Sequence, residues 1–386
     1  MKTLIRNATL INPASRQEHQ DILIEEGKIT SIGTFTDNAE EIIDATGLTA
    51  IPGMIDIHSH GADGADVCDA SLDSLHHIAQ RKLAEGVTTW LPTTLTQPQA
   101  KLVEIVTTVA RFREKNDTIR CPGLHIEGPY INREKAGAQN PEHVRLPNVE
   151  ELLALHAIAP AKIISLAPEL PGALELIRAA RAHGITCSAA HTSATYADIS
   201  HAAEAGLTHL THFGNAMTAL HHREIGVVGA GLMDSRLSIE IIADTIHLCP
   251  DMLRLIFHIV PRHRIMMITD SVAASWINNG EMTLGGLPVL IKDGIARLKE
   301  GGALAGSTLR AHEGLQNIAA STGLSLEDFI QCTSWNQAQS LSLPNLGKIA
   351  PGFHADITLL NAAGNVVRTI VGGITRYSAK NGSISP

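Results

Sequence analysis

What the chain lacks narrows its class before any motif is considered. Its five cysteines, Cys68, Cys121, Cys187, Cys249 and Cys332, form no CxxC pair, and their irregular spacing excludes a disulfide framework. Positive charge is not in excess. The formal net charge of −9 argues against a general nucleic-acid binder and confines any anion site to a local cluster. No apolar run approaches membrane length, and Arg6 and Asn7 interrupt the apolar core that a signal peptide would place in residues 1–10. The expectation is a reduced, cytoplasmic, soluble protein with neither a nucleic-acid nor a membrane partner. What is present is a well-cored chain of 386 residues, 44% hydrophobic and 18% charged, long enough for one large domain and a small accessory one.

Both ends read as β-structure. "KTLIRNATLI" and "QDILIEEGKITSIG" near the start, and "ADITLLNAAGNVVRTIVGG" near the end, are strand-like runs broken by turn residues. A small β-sandwich domain formed by both termini, residues 1–50 and 345–386, is the economical reading. Between them, over 51–344, strand-like runs alternate with helical ones. The predicted strands are Ala50–His58, Val87–Thr94, Cys121–Glu127, Ala161–Ala167, Thr186–His191, Thr208–His212, Leu237–Asp244 and Arg264–Asp270. Helical periodicity fills gaps such as "SLDSLHHIAQRKLAEG", "GALELIRAARAHG" and "PDMLRLIFHIVP", several of which end in Gly or Pro. "LPVLIKDGIARLK" reads as a hairpin turning through Asp293–Gly294. Repeated β-then-α units predict an α/β fold, a (β/α)8 TIM-like barrel, over an open doubly wound sheet.

The predicted strands stop at metal-ligand chemistry. The first ends in "HSH", His58 and His60; others end at Glu127, His191, His212 and Asp270, and the seventh runs into Asp244 and His247. Alternating side chains put His58 and His60 on one face, and a barrel gathers all C-terminal strand ends at one mouth. Singly, each has a bland reading. A strand-end His is often a hydrogen-bonded loop residue, Glu127 could be salt-bridged, and Asp270 could cap a helix. Together they point to a divalent metal centre. Glu127, His191 and His212 form a three-ligand set of the catalytic zinc type, and His58 with His60 could hold a second ion bridged by Glu127. Asp270 is then placed to move the proton of an activated water. Zinc is the default for these donors, although iron, manganese or cobalt suit them too. The reaction class is metal-assisted hydrolysis of a C–N or similar bond.

At these residues the sequence resembles the amidohydrolase superfamily, and within it the N-acetylglucosamine-6-phosphate deacetylase family. "PGMIDIHSHG", "GLHIEGPY", "AAHTSAT", "THFGNAM", "HHREIGVVGAG", "ADTIH", "ITDS" and "LAGSTL" follow in the family's order, and "WLPTTLTQP" and "LHHREIG" look closer to its N-acetylgalactosamine-6-phosphate branch. The resemblance implies that Glu127, His191 and His212 bind the principal metal, that Asp270 is the catalytic base and acid, and that one or two ions are held. It implies substrate contacts at Ala138, Gln139, Asn215, Ala216, Arg223, His247, Leu304, Ala305 and Gly306, with Arg223 and His247 suited to a phosphate. It also implies a homodimer in which Arg223 and His247 stand near the neighbouring subunit's site. The only lysine of "AKIISLAPE", Lys162, lies at the wrong end of its strand to be a bridging carboxylated lysine.

Two departures stand out. Gln139 occupies the place of a family histidine that polarises the acetyl carbonyl, and Gly214 replaces an aromatic residue. The expected activity is deacetylation of an N-acetylhexosamine 6-phosphate in amino sugar catabolism. The alternatives are another amidohydrolase reaction, on an N-acyl amino acid or an unphosphorylated sugar, and a non-catalytic binding protein on the same scaffold.

Overall fold

The computed structural model describes residues 2–36 and 39–379. Eight parallel strands lie side by side in chain order: Met54–Ser59, Val87–Thr94, Leu124–Glu127, Ala161–Leu166, Thr186–Ala189, Leu207–Leu210, Ser238–Ile242 and Ile265–Ile268. The ring closes where the Asp270 amide donates to the His58 carbonyl at 2.8 Å. Nearly every residue of these strands is buried, as parallel strands covered on both faces must be. A helix follows each strand: Leu72–Ala84, Gln99–Lys115, Val149–Ile158, Ala173–Ala182, Tyr196–Ala205, Gly226–Met233, Pro250–Ile259 and Ala311–Thr322. Ser71, Asn148 and Thr195 cap three of them, each side chain accepting a backbone N–H of the first turn.

The barrel is as expected, with differences of physical interest. The predicted strand Ala50–His58 is two strands, because Thr49–Pro52 pairs with the terminal sheet and only Met54–Ser59 enters the barrel. The change falls at Gly53, where a Cβ would stand 2.2 Å from Thr88 Oγ1. Helix Gly226–Met233 escapes sequence periodicity because its glycines are poor helix formers. Packing explains one of them: a Cβ on Gly231 would lie 2.3 Å from the Phe213 ring and 2.8 Å from Leu210 Cδ1. The expected hairpin at Asp293–Gly294 is present, with φ of 52° and 72°. It belongs to a three-stranded sheet, Gly280–Leu284, Leu287–Lys292 and Ile295–Leu298, inserted before the last helix.

Both chain ends build one further eight-stranded sheet, with Lys2–Asn12 at its centre. That strand pairs with Glu41–Asp44 through Thr3–Arg6 and with Thr49–Pro52 through Thr9–Leu10, changing partner at a bulge where Asn7 has φ 60°. The two halves of the sheet share a core that includes Ile5, Ile22, Ile24, Ile357 and Ile370, so a single folded sheet makes the sandwich. Residues 1, 37–38 and 380–386 of the expected terminal domain lie outside the described residues. Thr358 and Thr369 fasten the sheet to the barrel, donating to the Gly86 and Leu83 carbonyls at 2.7 Å each. No helix of the described residues is long and apolar enough to cross a membrane, and all five cysteines are unpaired.

Replacing Gly231 by Ala should therefore overpack the interface between helix Gly226–Met233 and the sixth barrel strand. Equilibrium urea unfolding should show a loss of about 1–3 kcal/mol; an unchanged midpoint would mean that Phe213 can yield freely.

Candidate metal centre and active site

His191, His212 and Asp270 each stand two residues past the end of a barrel strand, and all three have left-handed backbones, with φ of 45°, 32° and 50°. That conformation is strained for residues other than glycine and persists where surrounding contacts over-determine it. Here the strand ends turn sharply, and the turn aims each side chain at the barrel axis.

Four imidazoles and two carboxylates converge there. Glu127 Oε1 lies 3.1 Å from His212 Nε2, 3.4 Å from His191 Nε2 and 3.5 Å from His58 Nε2. Its other oxygen lies 3.4 Å from His60 Nε2. His191 and His212 bring their Nε2 atoms to 3.1 Å, and His58 and His60 bring theirs to 3.3 Å. Asp270 Oδ1 stands 3.4 Å from His58 Nε2 and 3.2 Å from His60 Nε2. All six residues are buried, none more than 7% exposed.

The neighbours of the far ring nitrogens decide what these rings offer. His191 Nδ1 donates to the Lys135 carbonyl at 2.8 Å, His60 Nδ1 to the Thr93 carbonyl at 3.2 Å, and His58 Nδ1 to the Glu240 carboxylate at 3.0 Å. Each bond puts the proton on Nδ1 and leaves Nε2 as a lone pair in the neutral ring. The His58 and His60 lone pairs, 3.3 Å apart, repel unless a proton or a cation lies between them. The edge of a tetrahedron with ligand bonds of about 2.1 Å is roughly 3.4 Å. The donor set fits a divalent ion at Glu127, His191 and His212, and a second group of the same kind is His58, His60 and Glu127.

Electrostatics agree. Burial works against a charge on His60, yet Asp270 and Glu127 outweigh it and raise its pKa to about 9. His58 is likewise raised against burial by Glu127 and Asp270. Burial would raise Asp270, but His58 and His60 hold it down at about 2. Glu127, also opposed by burial, is kept well below the usual carboxylate range by His58, His191 and His212. His125, packed edge-on to His58, is driven down by burial and by His58.

The cluster floors a cavity of about 390 Å³. Of the residues expected to meet substrate, Ala138, Gln139, Asn215, Ala216, His247, Leu304 and Gly306 line it, together with Leu95, Val272 and Leu284. Ala305 is fully buried behind this wall. Arg223 is exposed, outside the cavity, with Nη1 2.7 Å from His222 Nε2. Gln139 is held at both ends of its amide: Oε1 accepts the Thr96 N–H at 2.7 Å, and Nε2 donates to Glu127 Oε2 at 2.5 Å. His247 Nδ1 is bonded to Asp244 at 2.6 Å, which leaves Nε2 for the cavity. Sequence reasoning passed over Glu240, His125 and the Lys135 carbonyl. A carboxylate inside the apolar run "IEIIAD" was the available sign of Glu240; a backbone carbonyl leaves no sign at all.

A parallel barrel whose C-terminal mouth holds histidines around a shared carboxylate defines the metal-dependent hydrolases. Comparison with known proteins narrows this. Residues 49–375 match the amidohydrolase family. The chain is 32% identical to the N-acetylglucosamine-6-phosphate deacetylase of Lysinibacillus sphaericus over 99% of both chains. It is 36% identical to the N-acetylgalactosamine-6-phosphate deacetylase of Escherichia coli O157:H7, covering 83% of this chain and 86% of that one. A mutant of the Mycobacterium smegmatis N-acetyl-D-glucosamine-6-phosphate deacetylase, solved with N-acetyl-D-glucosamine-6-phosphate, superposes with a TM-score of 0.92 at 27% identity, covering 98% of this chain and all of that one. The chain belongs to the amidohydrolase family, in its N-acetylglucosamine-6-phosphate deacetylase group, and is a metal-dependent hydrolytic enzyme.

With its pKa near 9, His60 carries a proton at neutral pH in the ion-free protein, and an ion must displace it. Zinc titrated calorimetrically into chelator-treated protein, in buffers of differing ionisation enthalpy, should release protons. The apparent affinity should rise about tenfold per pH unit for each proton displaced. An affinity indifferent to pH between about 6 and 8 would show that His60 takes no part.

Proposed function

We propose that the chain removes the N-acetyl group of an N-acetylhexosamine 6-phosphate by hydrolysis, releasing acetate and the amino sugar 6-phosphate, in cytoplasmic amino sugar catabolism. The observation that carries this reading is the Asp270 carboxylate within 3.4 Å of both His58 and His60, at the floor of a cavity sized for a small molecule. The near full-length likeness to deacetylases of both sugar epimers supports the substrate class.

Glu127, His191 and His212 would hold the principal ion, and His58 and His60 a second that shares Glu127; zinc suits this imidazole and carboxylate set. A divalent ion there supplies Lewis-acid polarisation of the acetyl carbonyl and lowers the pKa of water from about 16 towards 7. Asp270 takes the proton of the attacking water on its carboxylate and returns it to the sugar nitrogen as the C–N bond breaks. One carboxylate performs both transfers because it starts ionised and stands at the centre of the cluster. Gln139 keeps Glu127 in place with one N–H of its amide and can offer the other to the acetyl oxygen. Leu304 and Val272 add apolar surface to the cavity wall, and Ala138, Asn215, Ala216 and Gly306 are assigned to the sugar. His247 and the exposed Arg223 are assigned to the phosphate. Arg223 lies outside its own cavity, which favours a homodimer in which it serves the partner subunit's site.

The test is acetate release from N-acetylglucosamine 6-phosphate, N-acetylgalactosamine 6-phosphate and their unphosphorylated sugars. A strong preference for a phosphorylated substrate is expected, and the faster epimer identifies the sugar; equal weak turnover of all four would refute the phosphate assignment. Asp270→Asn should lower kcat about 10²–10⁴-fold with ion content unchanged. Arg223→Ala should raise KM for the phosphorylated sugar alone, while sedimentation reports whether the chain dimerises.

A further inference from the structure

A fully buried lysine lies just behind the metal centre, on the helix side of the barrel. Lys82 belongs to helix Leu72–Ala84 and is 0% exposed. Its ammonium donates to Ser271 Oγ at 2.8 Å and to Thr269 Oγ1 and Asp56 Oδ2 at 3.0 Å each; Glu85 Oε2 stands at 3.3 Å. The three close partners account for its three N–H donors. Asp56 and Glu85 are buried too, at 3% and 0% exposure.

The location of these partners is informative. Thr269 and Ser271 are the two neighbours of Asp270 in the chain, and Asp56 precedes His58 by two residues. The first barrel strand is bulged between Asp56 and Ser59, so Asp56 reaches the helix while His58 reaches Glu240 across the barrel. Each hydroxyl accepts from Lys82 and passes its own proton onward, Thr269 to Asp56 Oδ2 at 2.6 Å and Ser271 to the Gly61 carbonyl at 2.9 Å. Asp56 Oδ1 also accepts the Thr269 N–H at 3.2 Å. Asp270 sits between these two anchored residues with φ 50°, bonded through its own N–H to the His58 carbonyl. The network therefore spans the seam where the eighth strand meets the first.

We propose that Lys82 is a positioning residue: by clamping Thr269, Ser271 and Asp56 from behind the barrel, it fixes where the Asp270 carboxylate stands relative to His58 and His60. This rests on the reading of Asp270 as the proton carrier. A buried ion pair contributes little to stability that apolar packing of similar volume would not. A bonded ammonium does fix direction, because its three close N–H bonds run to three different acceptors, Ser271, Thr269 and Asp56. Replacing it should therefore affect the chemical step far more than substrate binding.

The experiment is a double-mutant cycle on the ion-loaded enzyme with Lys82→Met and Asp270→Asn. In the wild-type background, Lys82→Met should lower kcat by about tenfold or more, leave KM within about twofold and leave the ions per subunit, counted by elemental analysis, unchanged. In the Asp270→Asn background the same substitution should cost nothing further, because the group it positions is gone. Lys82→Met leaves Asp56 and Glu85 without their counter-charge, so a second variant, Thr269→Val/Ser271→Ala, is measured beside it, which keeps the charges and removes only the hydroxyl links. The double hydroxyl variant should show the same split between kcat and KM. An equal loss in both backgrounds, or wild-type kcat in either folded variant, overturns the proposal while leaving the role of Asp270 intact. Full activity in Asp270→Asn alone overturns both.

Discussion

The centre of this molecule depends on lone pairs that face one another. His58, His60, His191 and His212 all turn Nε2 inward around the two oxygens of Glu127. Buried polar atoms normally find partners within the protein, and such a set is tolerable only when positive charge is shared among them. The surroundings are arranged for that end. Backbone carbonyls hold the far nitrogens of His191 and His60, Glu240 holds that of His58, Gln139 holds Glu127, and left-handed turns set His191, His212 and Asp270 at three strand ends. Stability in this region is subordinated to the convergence of donors, as is common where backbone strain coincides with function.

The barrel carries that strain by dividing the labour between its two faces. Long apolar side chains such as Ile126, Leu166 and Ile241 pack between strands and helices. The short polar residues Ser165, Ser188 and Thr211 form a hydrogen-bonded layer beneath the metal centre together with His125. This layer lets the interior change from hydrocarbon to ionic chemistry over a few residues of each strand. His125 illustrates the gradation: burial keeps it neutral, both of its nitrogens are bonded, to the Ile57 carbonyl and to Ser165, and it braces His58 without competing for the ion.

Much of this could be read from the sequence, for a specific reason. His58, His191, His212 and Asp270 each terminate an apolar run, and in a barrel the ends of such runs meet, so linear position carries spatial information. Residues whose role depends on a partner far along the chain were not legible in that way. Glu240 sits inside its run instead of at the end. Lys82 looks like an ordinary charge near a helix terminus until the fold places Thr269 and Ser271 against it. Gly226–Met233 fails as a helix by propensity and succeeds by contact with Phe213. The division of Ala50–His58 between two sheets turns on the clash of one absent Cβ with Thr88. Local pattern gave the order of elements; which side chains close on one another was settled by packing.

The sheet made from both ends of the chain has a consequence for biosynthesis. Thr49–Pro52 takes Ile357–Leu360 as its antiparallel neighbour, a partner that the ribosome delivers roughly three hundred residues later. Until then the N-terminal half of that sheet presents an unsatisfied edge, open to pairing with another nascent chain. Contacts of such sequence separation form slowly. A chain truncated before residue 357 would keep every proposed metal ligand, yet leave Thr49–Pro52 with an adhesive flank where Ile357–Leu360 belongs.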